Sequence, residues 1–227
     1  MFPFFDWTFI LLLPALALSL YAQWKVKTTF AHYSKVPSGR GLTGAAGARL
    51  LLDAGGLSHV PIEPVQGRLS DHYDPRTKVL RLSPDVAGRD SLAALGVAAH
   101  EVGHALQDAE GYAPMRVRAS LVPAASLGSN LGMILFIVGL FIGRNPLLMN
   151  AGILLFSAAV LFTVVTLPVE FNASRRALAL LSSRGLLVST EVDGARKVLS
   201  AAGLTYVAAA LMAVAQLARL LLISRNR

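Results

Sequence analysis

Residues 119–142 read ASLVPAASLGSNLGMILFIVGLFI and residues 146–168 read PLLMNAGILLFSAAVLFTVVTLP, with only Gly143, Arg144 and Asn145 between them. Neither run carries a charged side chain. Each exceeds the ~20 apolar residues with which a helix crosses the hydrocarbon of a bilayer. A short connection containing glycine turns one helix back on the next. The pair therefore reads as a transmembrane hairpin, which returns the chain to the membrane face it left. A helix pair buried in a soluble core is the rival reading, but such a core does not need two uncharged runs of this length.

The composition agrees. The chain has 227 residues, 54% of them hydrophobic, with mean hydropathy +0.57, which is too apolar for a soluble globule. It has no cysteine, so it has neither a disulfide framework nor a thiolate metal site. The net charge of +8 comes from scattered lysines and arginines without an aromatic-basic motif. A nucleic-acid partner is therefore excluded, and basic loops beside membrane spans account for the charge.

Two more spans flank the hairpin. Residues 7–24 are apolar, with Trp7, Tyr21 and Trp24 at their ends as interfacial anchors. A cleaved signal peptide would open on basic residues, whereas the only charge before this run is Asp6. Residues 204–223 form a fourth span, interrupted by Arg219. The expected organisation is an N-terminal anchor (1–24), a cytoplasmic part (25–118) that opens on a juxtamembrane linker (25–42), and the transmembrane hairpin (119–168). Cytoplasmic helices (169–202) and a C-terminal span with its tail (203–227) follow. Lysine and arginine number twelve in residues 25–118 and five in 169–202, against one in the turn at 143–145 and three from Arg219 onward. The positive-inside rule then places both basic segments in the cytoplasm. The three arginines of the tail run against that rule.

Immediately before the hairpin lies VAAHEVGHALQ, residues 97–107. It contains H-E-x-x-H. On a helix His100 and His104 stand one turn apart on one face, so both imidazoles reach a single ion. Zinc takes imidazole nitrogen at about 2.0–2.1 Å in a tetrahedral shell. Glu101 stands beside the metal, where a base takes a proton from the attacking water. The motif also occurs by chance, but here residues 91–99 are apolar. Ser91 or Asp90 can cap the helix and Gly111 can end it. Three ionisable groups on a buried helix are costly unless paired or metal-bound.

Two histidines do not complete a catalytic zinc site, which has three protein ligands and an open position. Glu110, six residues past His104, is one candidate, but Gln107 stands where a glycine would have to turn the chain. Glu170 is the stronger one. It lies two residues past Pro168, where the third span meets the inner surface, and the hairpin carries it back to the level of the H-E-x-x-H helix. Its bland alternative is an ion pair with Arg175 or Arg176. His32 and His59 read as solvated loop residues, and His72 as a hairpin residue. Ahead of the motif, residues 43–53 form a short helix capped by Thr43, and Pro61 and Pro64 keep residues 59–66 extended. Asp74, Pro75, Arg76 and Thr77 form the turn of a β-hairpin whose second strand is Lys78 to Leu82.

These segments together resemble the bacterial neutral zinc metallopeptidases of the membrane, within the gluzincin class. The resemblance rests on Asp71-His72-Tyr73-Asp74-Pro75, on residues 96–107 around His100, Glu101 and His104, on Pro168-Val169-Glu170-Phe171, on Ala173-Ser174-Arg175, and on residues 204–208 around Tyr206. It covers nearly the whole chain. It implies His100, His104 and Glu170 as zinc ligands and Glu101 as catalytic base. One departure stands out: the family pattern has aspartate two residues after the ligand glutamate, and this chain has Asn172. If that aspartate orients a ligand histidine, Asn172 supplies a neutral substitute, with Ser174 sharing the role.

The sequence thus predicts a mainly α membrane protein: zincin-like catalytic helices, a small β-hairpin and about four transmembrane helices. Its function is hydrolysis of a membrane-associated polypeptide in the bacterial cell membrane, with the multi-pass chain holding its active site on the cytoplasmic side. Tyr206, Arg175 and His72 are candidates for steadying the oxyanion. The alternative is a non-catalytic zinc-binding membrane protein, acting as sensor, store or scaffold, which has no need of Glu101. A zinc transporter would place ionisable ligands at mid-membrane, and the hairpin spans contain none.

Overall fold

A computed structural model describes residues 7–225; Asp6 and Arg227, which entered the charge reading, lie outside them. The described chain is mainly helical. Residues Trp7–Leu12 form a 3₁₀ turn that leads into α1 (Leu13–Tyr33). Then come α2 (Gly44–Ala54), β1 (Ile62–Pro64), β2 (His72–Asp74), β3 (Val79–Leu82), α3 (Pro84–Ala87), α4 (Leu92–Ala109), α5 (Ala113–Phe141), α6 (Pro146–Ser183) and α7 (Ser189–Arg225). Four helical stretches are long and apolar enough to cross a membrane: Trp7–Tyr33, Ala113–Phe141, Pro146–Ser183 and Ser189–Arg225. With the small sheet, this is a mainly α membrane protein of four candidate spans.

The chain divides into two compact units. One comprises Met1–Gln23, Arg116–Pro168 and Leu204–Arg227; the other comprises Trp24–Met115 and Val169–Gly203.

In the first unit a small core gathers Phe136, Met149, Phe156, Val160, Leu220 and Ile223. Around it, Ile134, Ile142, Leu147 and Leu154 are exposed. α5 and α6 approach backbone to backbone: a Cβ at Gly132 would lie 2.8 Å from Phe156 N and 2.9 Å from Gly152 O. Small residues permit such contact where apolar area alone gives helices no reason to associate. The turn arginine Arg144 and the tail arginine Arg219 are both tied into this unit. Arg144 Nη2 donates to Ile223 O at 2.8 Å, near the C-terminus of α7, and Arg219 lies over the Phe9 ring.

The second unit is organised around α4. Its buried Leu92, Leu95, Ala98, Ala99, Val102 and Ala105 pack in one core with Leu51 and Leu52 of α2, Leu80 and Leu82 of β3, and Ala177 and Leu181 of α6. Each buried leucine contributes about 1.5–3 kcal/mol. Thr43 caps α2 by accepting from Ala46 N. The expected hairpin is present, with Asp74 closing its turn by accepting from Arg76 N and Thr77 Oγ1, each at 2.9 Å. These bonds, led by the one from Arg76 N, hold the Asp74 carboxyl below its ordinary value.

Three features depart from the sequence reading. The sheet has a third strand, β1, parallel to β3 in the order β1-β3-β2; with Pro64 at its end, β1 is an edge strand, where a missing N–H is tolerated. The first part of residues 25–42 is not a linker, because α1 continues to Tyr33. Hydropathy falls at Lys25, but lysine sustains a helix as well as leucine does. His32 is accordingly an exposed helical residue rather than a loop residue. Finally, α6 runs through Pro168 without ending.

A candidate metal centre on α4 and α6

Ser91 caps the start of α4, its Oγ accepting from Ala94 N at 3.2 Å, and Gly111, whose φ of +65° suits glycine, turns the chain away past the C-cap Glu110. Between them the helical period sets His100 and His104 on one face, with ring centroids 4.7 Å apart and planes at 85°. α6 crosses this face closely. A Cβ at Gly103 would stand 2.6 Å from Ala173 O, so only glycine lets the two backbones meet there. Three residues before Ala173, Glu170 is brought onto the histidines.

Glu170 Oε2 lies 3.2 Å from His100 Nε2 and 3.5 Å from His104 Nε2. One ligand atom from each of the three residues falls within 4.8 Å of the others. Glu170 is 2% exposed and His104 8%. Burial pushes the His104 imidazole towards neutrality and is the strongest single influence on it. The hydrogen bond and charge of Glu170, with the charge of Glu101, outweigh burial and raise its proton affinity. A buried anion set against two imidazoles is a cation-seeking arrangement. Its donors are two nitrogens and a carboxylate oxygen without sulfur, a set that fits a three-ligand zinc site.

Glu101, on the same helix, is 7% exposed, and its Oε2 accepts from the Tyr73 backbone N–H at 3.0 Å. The Tyr73 hydroxyl donates to Asp108 Oδ2 at 2.7 Å, and Lys78 pairs with the same carboxylate. Strand β2 is thus fastened to α4 at two levels. Burial, reinforced by Asp108, pushes the Tyr73 hydroxyl to a higher pKa.

Around the imidazoles, Ser174 Oγ lies 3.1 Å from His100 Nδ1, and Gln107 Oε1 lies 3.0 Å from His104 Nδ1. Asn172 meets Gln107 rather than a histidine: its Oδ1 accepts from Gln107 Nε2 at 2.9 Å and from Arg176 Nε at 2.7 Å. Arg176 also pairs with Glu110 at 2.7 Å, which leaves Glu110 outside the triad. Its guanidinium holds the Glu110 carboxyl below the ordinary range. Arg175 is exposed; the next residue enters the cluster instead. His72 is an exposed residue of β2 whose Nδ1 faces Ser70 O at 2.8 Å, and Tyr206 belongs to the other unit.

Two participants escaped the sequence reading. Gln107 lies at i+3 from His104, a spacing that places them on one helical face. Tyr73 contributes a main-chain group, which no side-chain pattern reveals.

Comparison with known proteins gives two matches. The profile of a family described as "Putative neutral zinc metallopeptidase" matches residues 8–225. A protein of Bacillus subtilis (strain 168) described as "Putative membrane protease YugP" is 49% identical over 216 residues, covering 95% of this chain and 96% of the relative. No solved structure matches.

Proposed function

Starting from the chain's membership of this neutral zinc metallopeptidase family, we propose that it is a membrane-embedded peptidase with His100, His104 and Glu170 as zinc ligands and Glu101 as base. The observation that carries the reading is the convergence of three ligand atoms within 4.8 Å, from buried Glu170 and His104 and half-buried His100, with Glu101 next to His100 on the helix that carries both histidines.

A zinc ion bound there acidifies water towards pKa ~7 and polarises a carbonyl. The protein's own groups do the rest. The Tyr73 N–H holds Glu101 Oε2, which leaves Oε1 to receive the proton of the attacking water. As the water oxygen bonds to the scissile carbon, Glu101 carries that proton to the peptide nitrogen. The C–N bond then breaks, releasing an amine and a carboxylate. Glu101 is 7% exposed, so little bulk water reaches its carboxylate.

Substitution of Glu101 tests the reading. In the purified full chain, Glu101→Gln retains about one zinc per chain and loses roughly 10²–10⁴ in the rate of cleaving fluorescein-labelled casein. Undiminished turnover removes Glu101 from the mechanism, and wild-type protein that binds zinc but cleaves neither casein nor membrane-fraction polypeptides favours the sensor, store or scaffold reading. For orientation, we place the metal unit in the cytoplasm of a bacterial cell. Single cysteines at the exposed positions Ser58 and Ser183 are then both shielded from an impermeant thiol reagent in intact cells. Labelling of either one overturns that placement.

A further inference from the structure

Gln107 and Asn172 are amides, and an amide can face a neighbour with either its oxygen or its nitrogen. Here the neighbours decide. Arg176 is a donor only, so the Asn172 atom 2.7 Å from its Nε is the oxygen. That same oxygen accepts from Gln107 Nε2 at 2.9 Å, and the other Nε2 hydrogen goes to the Val169 carbonyl at 2.8 Å. With both hydrogens committed to acceptors, the Gln107 oxygen is the atom that meets His104 Nδ1 at 3.0 Å. It can only accept, so Nδ1 carries a proton and the lone pair of the neutral ring sits on Nε2, the nitrogen that faces Glu170. Gln107 is fully buried, so no solvent molecule takes its place.

His100 differs. Its Nδ1 faces the Ser174 hydroxyl, which donates or accepts equally well and dictates neither tautomer.

We propose that Gln107, keyed through Asn172 by the guanidinium of Arg176, is a positioning residue that locks His104 in the Nδ1-protonated tautomer and so presents Nε2 to the metal. This rests on the reading of His104 as a zinc ligand and extends it: one imidazole is held in a fixed state while the other is left adjustable. The asparagine that departs from the family pattern acts one step away from the histidine, so aspartate at this position keeps the same two acceptor contacts.

The experiment measures zinc affinity by chelator competition in the full chain in detergent, with helical content as the folding control. Gln107→Met preserves length and packing but removes the acceptor; zinc affinity falls about ten- to a hundred-fold, the range of an outer-shell partner. In the zinc-loaded wild type the His104 Nδ1 proton gives a slowly exchanging imino resonance, which Gln107→Met loses. Asn172→Asp keeps wild-type affinity, whereas Asn172→Leu weakens it. Wild-type affinity in Gln107→Met overturns the proposal and leaves the peptidase reading standing; a wild-type chain that binds no zinc overturns both. If Gln107→Met does not fold, the Asn172 pair decides: equal affinities in Asn172→Asp and Asn172→Leu overturn the proposal.

Discussion

In the unit that holds residues 116–168, Ile134, Leu147 and Leu154 stand exposed and six buried side chains form the core cluster among the described residues; in the unit that holds α4, Leu51, Leu52, Leu80, Leu82 and Leu95 are all buried. The first gains its packing largely from glycine contacts between backbones; the second adds leucine layers and polar clusters to such contacts. The difference is one of solvent. Exposed leucine is costly beside water and costless beside lipid, so the same residue type is placed outward in one unit and inward in the other. Polar networks concentrate in the second unit. The groups of the candidate metal centre all belong to that unit.

The largest effect that would break this contrast concerns the metal. Glu170→Gln weakens zinc binding by more than about a hundred-fold, beyond the loss of an outer-shell partner, while the apolar unit keeps its helices. Zinc retained at wild-type affinity, read by chelator competition, would make Glu170 a plain interfacial carboxylate.

Next comes a matched pair of lysines. Leu154 is 75% exposed in the apolar unit and Leu50 48% exposed in the other. Leu154→Lys costs about 3–4 kcal/mol of membrane insertion at mid-span, while Leu50→Lys changes stability by less than about 0.5 kcal/mol. Equal yields of both variants in the membrane fraction would erase the distinction between the units.

The smallest effect lies at Glu110, an exposed partner of Arg176. Its pairing lowers its pKa, so the stability it adds is present above the ordinary carboxylate value of about 4.3 and is lost as pH falls through the lowered folded value. Glu110→Gln therefore lowers stability by at most about 1 kcal/mol near neutrality. Its deficit against wild type closes in acid, and its zinc content is unchanged. Loss of zinc would return Glu110 to the list of ligands.

Much of this was legible in the sequence because its signals are periodic or extreme. The uncharged runs at 119–142 and 146–168, the cap at Ser91, the His100–His104 spacing and the Asp74 turn all follow from local rules. The convergence of Glu170 on the histidines was legible through topology, since two spans return the chain to the face it left. Hydropathy does not report helix continuity, so the reach of α1 to Tyr33 and of α6 through Pro168 was hidden. β1 was hidden because a three-residue strand beside prolines has no period to detect. Tyr73 acts through its main chain, and the place of Asn172 depends on Gln107 reaching it across the two helices.

Gly103 and Ala173 set one further property of the molecule. Down the buried side of α6 below Glu170 come Ala173, Ala177 and Leu181, each 0% exposed, a row of hydrocarbon with a single carboxylate at its head. Such a row is nearly degenerate under sliding: moved along by one turn, α6 would still offer α4 small apolar groups, and packing alone would penalise the slip weakly. The carboxylate breaks that degeneracy, because a slipped helix would offer the imidazoles a methyl group or a hydroxyl. An ion bound at that point would work as an index mark, adding to the alignment that the Gln107 contacts with Val169 and Asn172 already favour.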